Sequence, residues 1–254
     1  MRRDKVQRVA RNDPRTITHK AWLESESPGE LIRHLNATQQ ADGTRRGRRK
    51  LMLFELACCR RGWELLEGDP VREAVEAIQQ YVEGESSRRA AKRVVDRVRA
   101  GFDGQLPDEV VVDEDFVGLS LGRKGDPAPI DNLRLFALSM SGLFDSNFDT
   151  HYITAAHGVG GDHATEEFAA QCDLLRDIFG DPFRPIEFSS EWRTETAVLI
   201  ARGMYQSHDF SAMPILADAL QEADCNNDEI LSHCRDANAT HVRGCWVIDG
   251  VLGK

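Results

Sequence analysis

The sequence predicts a mainly α-helical protein, built as a multi-helix bundle or helical array with short loops. Three observations carry this. Apolar residues recur at intervals of three and four through most of the chain. The periodic segments open on Ser or Asp, several with proline at the first helical position, and close on glycine. Aromatic residues make up only 7% of the chain, and one stretch alone, DEVVVDEDF near 108–117, has the character of a short strand, so minor β-structure is expected there.

Residues 1–18 form a flexible basic tail. Trp22, Leu23, Leu31, Ile32 and Leu35 then follow near-helical spacing, broken at Pro28. Ser27-Pro28-Gly29-Glu30 supplies an N-cap, a proline at the first helical position and a capping-box glutamate. A polar Gly/Arg loop covers 38–48. The strongest helix is RRKLMLFELACCRRGWELLEG, 48–68, with a broad apolar face from Leu51 to Leu66 and Gly68 as its stop. DPVREAVEAIQQYVEG opens on Asp69 and Pro70 and carries the stripe Val71, Val75, Ile78 and Val82. SSRRAAKRVVDRVRAG, 86–101, is a further helix, basic on its outer side.

Glycines and prolines then break the pattern, making 101–130 a linker or insertion. Helical periodicity resumes in DNLRLFALSMSGLF, 131–144, whose NLRLFAL echoes KLMLFEL at 50–56. After HGVGGDH, 157–163, comes ATEEFAAQCDLLRDIFGDPFRP, stopped at Gly180 with prolines beyond. SSEWRTETAVLIARGMYQ begins on a serine cap; MPILADALQEADC, NNDEILSHC and HVRGCWVIDGVLGK complete the chain. The expected regions are therefore the tail 1–18, an N-terminal helical region 19–100, the linker 101–130 and a C-terminal helical region 131–254.

Charge is polarised. Residues 1–100 hold 22 Lys/Arg against 15 Asp/Glu, and the remainder 10 against 27, within a net charge of −10. Opposed charges on the two halves could drive self-association that weakens with salt. No apolar run reaches membrane-spanning length. The basic N-terminus lacks the apolar core of a secretory signal, so a cytoplasmic location and no membrane partner are expected. Six cysteines, two of them adjacent, do not resemble a secreted disulfide framework.

AWLESESPGELIRHL and RKLMLFELACCRRGWELL resemble the N-terminal part of an uncharacterised protein family abundant in planctomycete bacteria. CDLLRDIFGDPFRPIEF, MPILADALQEADCNNDEILSHC and HVRGCWVIDGVLGK resemble that family's C-terminal part. The resemblance covers about 20–85 and 171–254; the middle, 86–170, departs from it by lacking long Ala/Trp/Arg-rich repeats. It implies an intracellular, mainly helical bacterial protein and brings no catalytic residues with it.

Cys225, His233, Cys234, His241 and Cys245 lie within 21 residues and are the candidate metal ligands. With 226–234 helical, His233 and Cys234 sit at its C-terminal end. With a last helix including 241–249, His241 and Cys245 share one face. Such a set could surround Zn²⁺ tetrahedrally, although it contains no C-x-x-C. A helical hairpin with cysteines as small buried apolar groups explains the same letters. The sequence requires no cofactor; zinc is the one such a set could hold.

Arg45, Arg46, Arg48, Arg49 and Lys50 are candidate contacts to nucleic acid or another anion, against the plainer reading of a solvated helix face. Cys58-Cys59 beside Arg60-Arg61 is either a thiolate site or core packing. HGVGGDH meets no phosphate-loop pattern, and no hydrolase, kinase or metalloprotease motif occurs in a usable context. The expected function is an interaction or scaffold module with a protein partner or with itself; the missing motifs weigh against an enzyme without excluding one, because a catalytic set is assembled by the fold and not by adjacent letters. The alternatives are a metal-binding protein, structural or hydrolytic, and then a nucleic-acid binder.

Overall fold

The computed structural model describes residues 16–41, 43–102, 134, 137 and 164–254. Among them are ten α-helices, one 3₁₀ turn and no strand. The protein is mainly α, as its periodicity requires. The strand expected near 108–117 and the loop 157–163 lie outside the described residues, as does 131–144 apart from Arg134 and Ala137, which are helical. No helix among the described residues is long and apolar enough to cross a membrane. The chain divides into two compact units, 1–172 and 173–254.

In the first unit, α1 (His19–Glu24) starts where Thr18 accepts the N–H of Ala21 at 3.1 Å. α2 (Pro28–Ala37) has Ser27 as N-cap and Pro28 first, as expected, but the Ser27 hydroxyl makes no cap bond. Ser25 acts instead: its Oγ accepts from Ser27 N–H at 3.0 Å and donates to Glu30 Oε2 at 2.9 Å. The glutamate thus reaches the helix start through a neighbouring hydroxyl.

α3 (Arg45–Arg61) begins three residues before the expected 48, because Thr44 Oγ1 accepts from Gly47 N–H at 2.8 Å and satisfies one orphan donor there. It ends at Arg61, and Trp63–Leu66 continues as a 3₁₀ turn to Gly68, which has φ +72°. Asp69 Oδ1 accepts from Val71 N–H at 3.0 Å and opens α4 (Val71–Val82). Ser87 caps α5 (Arg88–Ala100). Trp22, Leu31, Leu35, Leu53, Phe54, Leu66 and Ile78 are fully buried. Each such side chain contributes about 1.5–3 kcal/mol by leaving water.

α6 (Ala164–Phe179) ends in the second unit, which continues with α7 (Glu195–Ser207), α8 (Met213–Glu222), α9 (Asp228–Arg235) and α10 (Trp246–Leu252). Thr194, and not a serine, caps α7 through Ala197 N–H at 3.2 Å. Ser189 serves a turn to Glu191 N–H. α8 packs on α7 and α9, and α10 on α7. Met204, Leu216, Leu220, Ile230, Val247, Ile248 and Val251 form their shared core.

Two glycines test this packing in opposite directions. A Cβ on Gly47 would stand 2.0 Å from the Ala41 carbonyl oxygen, so Gly47→Ala should cost about 1–3 kcal/mol through overpacking. Gly203, exposed within α7, has nothing within 4 Å of a built Cβ, so Gly203→Ala should stabilise by roughly 0.5–1 kcal/mol. Thermal unfolding of both variants checks the pair; equal effects would contradict the packing described.

Candidate metal centre

α6 is apolar along Leu174, Leu175 and Ile178, yet places Asp177 among them, with its carboxylate buried. Burying a charge is costly unless every lone pair finds a donor. Asp177 Oδ1 lies 3.0 Å from His241 Nδ1 and 3.2 Å from His233 Nε2, and Oδ2 accepts from Val242 N–H at 2.9 Å. Burial alone pushes this carboxyl up. The hydrogen bonds from His233 and His241, with their charge, outweigh that and hold it below the ordinary carboxylate range.

The fourth group is Cys245, fully buried, with Sγ 3.2 Å from His233 Nε2. Asp177, His233, His241 and Cys245 therefore present one oxygen, two nitrogens and one sulfur, all within 4.8 Å of one another: a cluster that could hold a metal ion. Donor atoms around a tetrahedral ion with bonds of 2.0–2.3 Å stand about 3.3–3.6 Å apart. Three of the six separations, at 3.0–3.2 Å, are a few tenths of an ångström tighter, and all six are within 4.8 Å, so the wider pairs close in when an ion is bound.

A Cys–His–Asp catalytic arrangement is a different geometry. There the thiol and the carboxylate engage opposite nitrogens of one imidazole. Here both approach the same atom, His233 Nε2. Burial and then the charge of Asp177 also push the Cys245 thiol well up, against the opposing pull of the Ile248 and Val247 N–H groups. The His241 ring is 93% buried by side-chain area, yet its Nε2 has no hydrogen-bond partner among the described residues. His233 packs edge-on against His241, with ring centroids 4.8 Å apart, and lies 5.2 Å from the Trp246 ring.

Three of the five candidate ligands, His233, His241 and Cys245, come together. Their route differs from the helical one expected. The last helix starts at Trp246, so His241 and Cys245 share no helix face; Cys245 is its N-cap. A turn closed by Cys245 N–H to the Val242 carbonyl brings them together, with Gly244 at φ 96°. Cys225 and Cys234 are buried nearby in the chain but stand outside the four. Cys234 is pushed up to about 12 by burial, then by the charges of Cys225 and Asp177.

Asp177, the missing member, lies 56 positions before His233. Its signal was an acid within the apolar stripe of LLRDIF. Elsewhere, Arg45, Arg46 and Arg48 are exposed, Arg49 faces Glu83 at 4.0 Å and Lys50 is buried. Cys58 and Cys59 are both buried. Desolvation raises both thiols well up, so Arg60 and Arg61 do not make a thiolate there. Compared with known proteins, the chain matches no family model, no curated protein and no solved structure.

All six cysteines are free and buried. Thiol titration of the native protein at neutral pH should therefore find almost no reactive group, and all six on unfolding. Rapid modification of Cys58, Cys59 or Cys245 in the folded state would contradict their described surroundings.

Proposed function

We propose that the protein is a helical scaffold whose C-terminal unit is held by one structural Zn²⁺, bound through Asp177, His233, His241 and Cys245. The observation that carries this reading is the convergence of four donor atoms, one oxygen, two nitrogens and one sulfur, within 4.8 Å of one another. A single thiolate with imidazole and carboxylate suits a borderline ion such as Zn²⁺. With neutral imidazoles, the Asp177 and Cys245 anions balance the charge of a divalent ion. Four protein ligands fill a tetrahedral shell and leave no position for substrate or water, which supports a structural role over a hydrolytic one.

The ion would join the end of α6, the end of α9 and the turn before α10. A unit of this size gains from such a staple, because a single small core supplies only a few kcal/mol. Binding must remove the proton from the Cys245 thiol, so affinity should rise with pH.

Mass spectrometry of the purified full-length chain, refolded with zinc, should find one ion per protein. Asp177→Asn and Cys245→Ser should each lower occupancy at least tenfold. A free zinc concentration of 1,000 times Kd should stabilise the wild type by about 4 kcal/mol. Cobalt substitution should give a thiolate-to-metal charge-transfer band that Cys245→Ser abolishes. A wild type that takes up no zinc and melts at the same temperature with or without it would overturn the reading.

A further inference from the structure

On the zinc reading above, on which this rests, we propose that the ion enters and leaves its site past His233, and that the indole of Trp246 gates the exchange. The four ligands are not equally covered. Cys245 is fully buried, while the side chains of Asp177, His241 and His233 keep 2%, 7% and 18% of their area exposed. His233 sits in the last turn of α9, two residues before the helix ends at Arg235 and next to the exposed Ser232. Helix ends open at the lowest cost, so this is the ligand that lets go first.

His233 also lacks an anchor on its far side. A metal-bound imidazole ordinarily donates its second N–H to an acceptor that fixes the ring. His233 presents Nε2 to Asp177 and Cys245, while among the described residues nothing hydrogen-bonds to its Nδ1. Packing holds the ring instead: it stands edge-on to His241, with centroids 4.8 Å apart, and against Trp246 at 5.2 Å and 46°. His241 is itself buried and bonded to Asp177, whereas Trp246 is half-buried and free to turn outward.

Trp246 meets every segment that the ion would join. It follows Cys245 directly, lies against His233 of α9, and rests on the bare Cα of Gly180 at the end of α6, where a Cβ would stand 3.2 Å from the indole Cγ. The indole must therefore shift before His233 swings away from the other three ligands. A barrier of that kind slows entry and release alike and leaves the bound state unchanged, because the ion, once in place, is held by the same four atoms.

Stopped-flow measurement of zinc uptake by the metal-free full-length protein, and of zinc release to excess chromogenic chelator, tests the proposal. Trp246→Leu should raise both rates at least about tenfold and shift Kd by no more than about threefold, because removing a gate lowers the barrier from both sides. Trp246→Phe, which keeps a smaller ring, should raise both by less, and it stands in should the leucine variant fail to fold. Trp192→Leu is the control. Its ring packs on Phe188 against the same core, so general loosening of the unit would show there, and exchange should stay at the wild-type rate. A wild type that takes up no zinc would overturn the zinc reading and the gate together. With zinc bound by the wild type, rates indifferent to position 246, faster release with unchanged uptake, or an equal acceleration by Trp192→Leu would each overturn the gate alone.

Discussion

A buried carboxylate must be answered on both oxygens, and in the C-terminal unit the answer to Asp177 fixes where three segments meet. Its partners come from α9, through His233, and from the turn before α10, through His241 and the Val242 N–H. Neither segment is next to Asp177 in sequence. Satisfying the carboxylate therefore sets the end of α6 against the C-terminal end of α9 and places Cys245 at the start of α10. α10 then delivers Val247, Ile248 and Val251 to the core shared with α7. Leaving even one of these polar groups unpaired would cost about 1–3 kcal/mol, a large part of a small unit's stability.

The same constraint explains which parts of the protein were legible in its sequence. Helices were, because a 3.6-residue apolar period survives any tertiary arrangement, and the Ser27-Pro28 start declared itself by residue type; Asp69-Pro70 pointed to the start of α4 one residue early, since Pro70 is its N-cap and Val71 its first residue. Boundaries set by a less obvious hydroxyl were not: Thr44 starts α3 early, and Thr194 starts α7 late. The spacing of His241 and Cys245 fits a helix and a turn equally well, and only the left-handed backbone at Gly244 decides between them. Cys225 and Cys234 have the right chemistry and lie close in sequence, but they stand outside the cluster. Asp177 could be joined to it only through the fold.

The two units solve different physical problems. The C-terminal one concentrates its unusual chemistry in one cluster, where the buried Asp177 and Cys245 meet the partly buried His233 and His241. In the first unit charge is kept mostly outside, and the buried Glu167 carboxylate accepts from Arg61 Nε on both oxygens, at 2.8 and 2.9 Å. Trp63 lies under two guanidinium groups, Arg60 at 3.8 Å and Arg72 at 4.6 Å from its centroid.

X-ray absorption at the zinc edge of the loaded protein tests the central claim most directly. The account predicts one sulfur at about 2.3 Å and three nitrogen or oxygen neighbours at about 2.0–2.1 Å. A shell with two or more sulfurs would bring Cys225 or Cys234 into the centre, and a six-coordinate shell of oxygen and nitrogen alone would remove Cys245 from it; either would contradict the account.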